Sequence, residues 1–118
     1  MVDKPCPDRP NCVSSQAGDA GHFIEAFTFQ DTPAEAMQRL REAVLGEKRM
    51  TIVEELPDYL HAEARSMFFG FVDDLEFALS ADRQSIQVRS AARTGYSDFG
   101  VNRRRIERIR QAFRDLER

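Results

Sequence analysis

The sequence predicts an α+β domain: an antiparallel sheet of four to five strands in the order β-α-β-β-β-β-α, with two helices packed on one face. Three observations carry this expectation. Two segments, 36–44 and 106–116, repeat apolar residues at three- and four-residue steps, the stripe of a helix that buries one side. Runs between Met50 and Ala92 alternate apolar and polar residues, the period of a half-buried strand. The connectors between those runs are short, which favours neighbouring antiparallel strands.

Taken in order, residues 1–22 contain Pro5, Pro7 and Pro10 and no apolar period, so they read as an extended arm ahead of a single domain spanning 23–118. "FIEAFTF" at 23–29 alternates as a short strand, with Phe23, Phe27 and Phe29 on one face and Ile24, Ala26 and Thr28 on the other. The first helix starts with a capping box: Thr32 at the N-cap, Pro33 at the first helical position and Glu35 at the third. Gly46 stops it. Ala36, Met37, Leu40, Ala43 and Val44 form its apolar stripe, and Gln38, Arg39, Arg41 and Glu42 are expected to face water.

"MTIVEEL", "YLHAEARS", "VDDLEFAL" and "SIQVRSA" then read as a meander. Leu60, Ala62, Ala64, Leu75, Phe77, Leu79, Ile86 and Val88 fall on the apolar face. His61, Glu63, Arg65, Asp74, Glu76, Gln87 and Arg89 fall on a polar face expected to stay open. The last helix is expected from Asp98 or Asn102 to near Arg118, burying Ile106, Ile109, Phe113 and Leu116.

The net charge of −3 argues against a dedicated nucleic-acid binder. It hides an asymmetry, −8 over residues 1–88 and +5 over 89–118, which is expected when a basic helix docks on an acidic remainder. The longest apolar-or-glycine run, Met67–Val72, is far short of the roughly 18 residues a membrane span requires. The N-terminus lacks the pattern of a signal or transit peptide, so the chain as written is expected in the cytoplasm, and a membrane-associated or exported form would need an upstream segment. Cys6 and Cys12 have a spacing compatible with a disulfide ring or with a pair of thiols. No metal site is expected, because the two histidines, His22 and His61, lie in different segments. The chain has no phosphate loop or dinucleotide fingerprint, so no cofactor is expected either.

Three functional readings follow. In the first, the strand-to-helix junction binds a small anionic ligand through Arg93, Tyr96, Ser97, Asp98, Asn102 and Arg103, because such junctions offer free N–H groups and forked guanidinium donors. The polar sheet face with His61, Glu63, Arg65 and Arg89 extends that candidate site. The alternative is a protein-interaction or assembly module using the aromatic tip at 67–72, "MFFGFV". The third is a hydrolase-like enzyme with His61 and Asp98 in acid–base roles.

"CPDRPNCVSS", "YLHAEARS", "FGFVDDLEF", "IQVRSAAR" and "GYSDFGVNRRRIERIR", in that order from Cys6 to about Arg110, together resemble the domain-of-unknown-function family 1499. The resemblance implies no settled biochemical activity. It implies relatives in bacteria and plant plastids, many with a membrane anchor or export segment ahead of the cysteine motif.

Overall fold

The computed structural model describes residues 2–117. Its elements are β1 (Cys12–Ser14), β2 (Phe27–Thr28), α1 (Pro33–Leu45), β3 (Met50–Leu56), β4 (Tyr59–Arg65), β5 (Val72–Leu79), β6 (Ser85–Ala92) and α2 (Val101–Asp115). They form the expected α+β domain, with six antiparallel strands where four to five were expected. The sheet runs β1-β6-β5-β4-β3, and β2 also pairs with β6. Both short strands therefore share one edge: β1 lies opposite residues 89–91 and β2 opposite 85–86.

The additional strand is β1, inside the segment that reads as arm from sequence. All three of its residues are buried, so it has no alternation to betray it. The expected phase of 23–29 also fails. Ile24 and Phe27 are both buried while Phe23 is 41% exposed, because the chain extends only at Phe27–Thr28. Period two cannot put residues three apart on one strand face.

The helix α1 starts with both bonds of its capping box: Thr32 Oγ1 accepts from the Glu35 amide, and the Glu35 carboxylate accepts from the Thr32 amide. Leu40 and Val44 meet the sheet's apolar face, where register places Leu60 opposite Phe77 and Phe77 opposite Val88. Ile106, Ile109 and Phe113 of α2 complete this core. Each fully buried side chain of this kind contributes about 1.5–3 kcal/mol.

Arg39, expected in water, is only 7% exposed. Its guanidinium lies 4.0 Å from the Phe113 ring centroid and donates two hydrogen bonds to the Asp31 carboxylate, at 2.7 and 2.8 Å. Arg110 lies similarly 4.6 Å over Phe27 and donates to the Glu25 and Ala26 carbonyls. These stacked cations join the basic helix to the rest of the chain.

The polar sheet face is covered in part, with Arg65 and Arg93 left about half exposed. Arg89 donates to the carbonyls of Lys4 and Pro5, so the N-terminal arm crosses this face, and Tyr59, Glu76 and Arg89 are each buried. A disulfide joins Cys6 to Cys12, fastening the arm to β1.

Residue Val101 begins α2, preceded by Gly100 in the left-handed region at φ 79° with no side-chain cap at that position. Asp98 does the capping from further back, its Oδ2 accepting from the Asn102 amide at 3.1 Å. Asn102 is thus not a cap but a fully buried residue of the first turn. The helix ends at Asp115, and Arg118, its expected neighbour, lies outside the described residues.

Candidate functional site

Two loops meet at one end of the sheet. The β4–β5 loop, residues 66–71, closes through Ser66 N–H to the Phe71 carbonyl and Phe71 N–H to Ser66 Oγ, both at 2.9 Å. Gly70, at φ 67°, supplies the tight bend. The β6–α2 loop, residues 93–100, ends in two successive left-handed residues, Phe99 at φ 54° and Gly100 at φ 79°. Glycine adopts that region freely, whereas a phenylalanine there is strained by about 1–2 kcal/mol. The Asp98 carboxylate holds the strained turn by accepting from the Gly100 amide at 2.8 Å and from Asn102.

A cleft of about 670 Å³ lies between these loops. Met67, Phe71, Phe99 and Val101 form apolar wall, and Arg49, Arg65 and Arg105 bring cations to it. The Arg65 side chain is 58% exposed and only 3.7 Å at its nearest from Glu63, a loose pairing. Arg49 donates to the Arg65 carbonyl at 3.2 Å and is itself in the left-handed region at φ 56°. Arg105 is fixed: it donates to Asp73 at 2.9 Å and to Asn102 Oδ1 at 3.3 Å.

Behind the cleft runs a polar network on the helix-facing side of the sheet. Ser90 Oγ donates to Asn102 Oδ1, and Asn102 Nδ2 donates to Asp98 at 2.8 Å. Asn11 Nδ2 donates to the Gly95 carbonyl at 2.7 Å, tying the arm to the loop. Among the described residues, Asn11 Oδ1 is the one buried side-chain acceptor without a partner. Such an atom has a desolvation cost that nothing within the fold offsets.

The residues expected at the site separate into three groups. Ser97 and Asp98 line the cleft, and Arg65, expected on the polar sheet face, reaches it too. Asn102 stands behind the wall, Tyr96 is 68% exposed on the loop, and Arg103 donates away to the Phe23 and Gly21 carbonyls. Arg93 turns to the other face of the sheet, where it forks onto Asp74 at 2.7 and 2.9 Å and also reaches Glu63. Sequence reasoning missed Arg49, Asn11 and the Asp73–Arg105 pair. The strand period does put Asp73 in phase with Leu75 and Phe77, a signal that a cation had to come from a helix.

On that outer face His61 Nε2 sits 2.9 Å from Asp74 Oδ1, and Tyr59 O–H donates to Glu76 at 2.6 Å. Burial works to raise the Asp74 pKa, but Arg93 and His61 outweigh it and hold the carboxyl below its ordinary range. Burial, with Glu76 beside it, pushes the Tyr59 phenol up. Asp74 and Glu63 raise the Arg93 pKa, keeping it a fixed cation. His61, Glu63 and Asp74 each offer a ligand atom, all within 4.8 Å of one another. A metal ion there would have to displace the Arg93 guanidinium from both carboxylates. His61 and Asp98 do not share a site, since His61 belongs to the outer face and both Asp98 oxygens accept bonds from Gly100 and Asn102.

Among the described residues no helix is long and apolar enough to cross a membrane. Residues 4–113 match the model of a family described as "Protein of unknown function (DUF1499)". No curated protein matches the chain.

Proposed function

The chain belongs to that family, and from its cleft we propose that it is a binding module for a small anionic ligand, held beside the loop that precedes α2. One observation carries this reading: three arginines meet a largely apolar cleft whose two carboxylates, Asp73 and Asp98, already accept internal hydrogen bonds. An acidic group would find forked donors in Arg49 and Arg65, while a short apolar portion lies against Met67, Phe71 and Phe99. Arg105, locked by Asp73, is a donor already in place, its charge largely balanced by that carboxylate. Ser97 and Asp98 are wall residues in this reading. Arg93 and Arg103 anchor the two ends of the loop, and Tyr96 and Asn102 stand outside and behind it.

The test is thermal unfolding with inorganic phosphate, butanoate, octanoate and butyl phosphate. A ligand at ~100 times its dissociation constant adds roughly 2.7 kcal/mol of stability. The expected result is saturable stabilisation by at least one apolar anion, lost in Arg65→Ala while that variant's own unfolding is unchanged. Stabilisation by none of the four, or equal stabilisation of Arg65→Ala, overturns the reading.

A further inference from the structure

The two loops around the cleft also carry an apolar surface that extends beyond it and shares its rim. Phe68, Phe69 and Tyr96 are not part of its lining and are 84%, 77% and 68% exposed. Phe99, Met67 and Phe71, on the rim, are 83%, 63% and 59% exposed. Phe69 and Phe71 stack with centroids 5.6 Å apart, so the rings meet each other and the solvent instead of the core. Isolated apolar side chains are common on surfaces, but six large ones on two adjacent loops mark a contact.

We propose that this end of the molecule docks on an anionic lipid bilayer, with Phe68, Phe69, Tyr96 and Phe99 entering the interfacial layer and Arg49 and Arg65 meeting lipid headgroups. Charge is the first argument. Residues 66–72 and 94–97 carry no charged side chain, and Asp98, beside Phe99, has both carboxylate oxygens bonded to Gly100 and Asn102, which lowers the resistance to transfer from water. Just behind them, Arg49 and Arg65 are exposed, and the cleft's carboxylates are occupied by internal bonds. Aromatic rings ahead of arginines is the order of side chains that a negatively charged bilayer surface takes up.

Shape is the second argument. The tip is made of two separate loop ends, one of them a hairpin closed by its own hydrogen bonds. A protein partner would have to match two loop ends with a cleft between them, whereas a bilayer adapts to both. The left-handed turn at Phe99 adds to this. A strained backbone carries an exposed aromatic ring there, and the ring gains nothing from the fold in return. This docking does not depend on the cleft being filled.

Co-sedimentation of the full chain with vesicles tests the proposal, using phosphatidylcholine alone and phosphatidylcholine mixed with phosphatidylserine. The expected result is binding to the mixed vesicles that weakens with added salt. Phe68→Ser/Phe69→Ser should lower the vesicle partition coefficient by about tenfold or more with unchanged thermal unfolding. The same variant should keep any stabilisation by phosphate or octanoate, since neither ring lines the cleft. Failure to pellet with the mixed vesicles, or equal pelleting of the double variant, overturns docking on lipid. Mass in solution that rises with concentration and falls in the double variant also overturns it, and assigns the tip to a second copy of the chain.

Discussion

Arg105 of α2 donates to the carboxylate of Asp73 on β5 at 2.9 Å, with only 13% and 14% of the two side chains accessible to water. The pair joins the helix to the apolar face of the sheet beside the cleft. Removing the charge of Asp73 leaves a mostly buried guanidinium with Asn102 as its one remaining side-chain partner among the described residues. Asp73→Asn is therefore expected to destabilise the chain by about 1.5–3 kcal/mol, read from urea unfolding. Adding Arg105→Met should recover part of that loss, because a buried pair costs more when broken than when replaced whole. A neutral Asp73→Asn would show that water reaches the pair.

At Phe99, conformation and function pull apart. Asparagine tolerates the left-handed region better than phenylalanine does, so Phe99→Asn is expected to stabilise the free chain by about 0.5–1 kcal/mol. The same change removes an apolar wall of the cleft and a ring from the tip. Weaker ligand and vesicle binding should accompany the higher unfolding midpoint. A lower midpoint would mean that the ring packs in solution in a way its exposure does not suggest.

The arm should respond to pH through His22, whose ring nitrogens lie 2.7 Å from Asp19 and 2.8 Å from the Arg9 carbonyl. The Arg9 carbonyl raises the His22 pKa above its ordinary value of 6.5; burial opposes this, and Asp19 and Asp8 add to the rise. A pKa that is higher folded than unfolded stabilises the docked arm fully below pH 6.5, and the contribution is lost as pH climbs through the raised value. Amide exchange across residues 9–22 should thus be slowest in mild acid, beyond the intrinsic pH effect, and His22→Gln should flatten the difference. An arm whose protection ignores pH in both chains would place its anchorage elsewhere.

The parts of this fold that were legible in sequence are those whose cause is local. Thr32, Pro33 and Glu35 announce α1 because the capping box is made within one turn. The phase of β4, β5 and β6 is readable because period two needs no partner. β1 escaped because its three residues show no alternation and its partner strand lies some eighty residues later. Arg39 and Arg110 escaped because a guanidinium becomes a core residue only once Phe113 and Phe27 are brought beneath it. The junction before α2 stood out by its glycines and arginines. That Arg93 would leave it for the outer face, and that Arg49 from the α1–β3 turn and Arg65 from the end of β4 would come in, depends on tertiary placement alone.

The sharing of β6 by β1 and β2 also orders events on the ribosome. Cys12 pairs with Ala91 and Phe27 with Ile86, so the first strands to be synthesised wait for the last. At about 5–20 residues per second, the interval between making Cys12 and Ala91 is roughly 4–16 s. During that time α1 can form from its own capping signals, and β3 to β5 can zip together. The N-terminal segment has no sheet edge of its own to join. A nascent chain stalled before β6 emerges is expected to leave residues 12–28 open to protease, and release past Ala92 to close them.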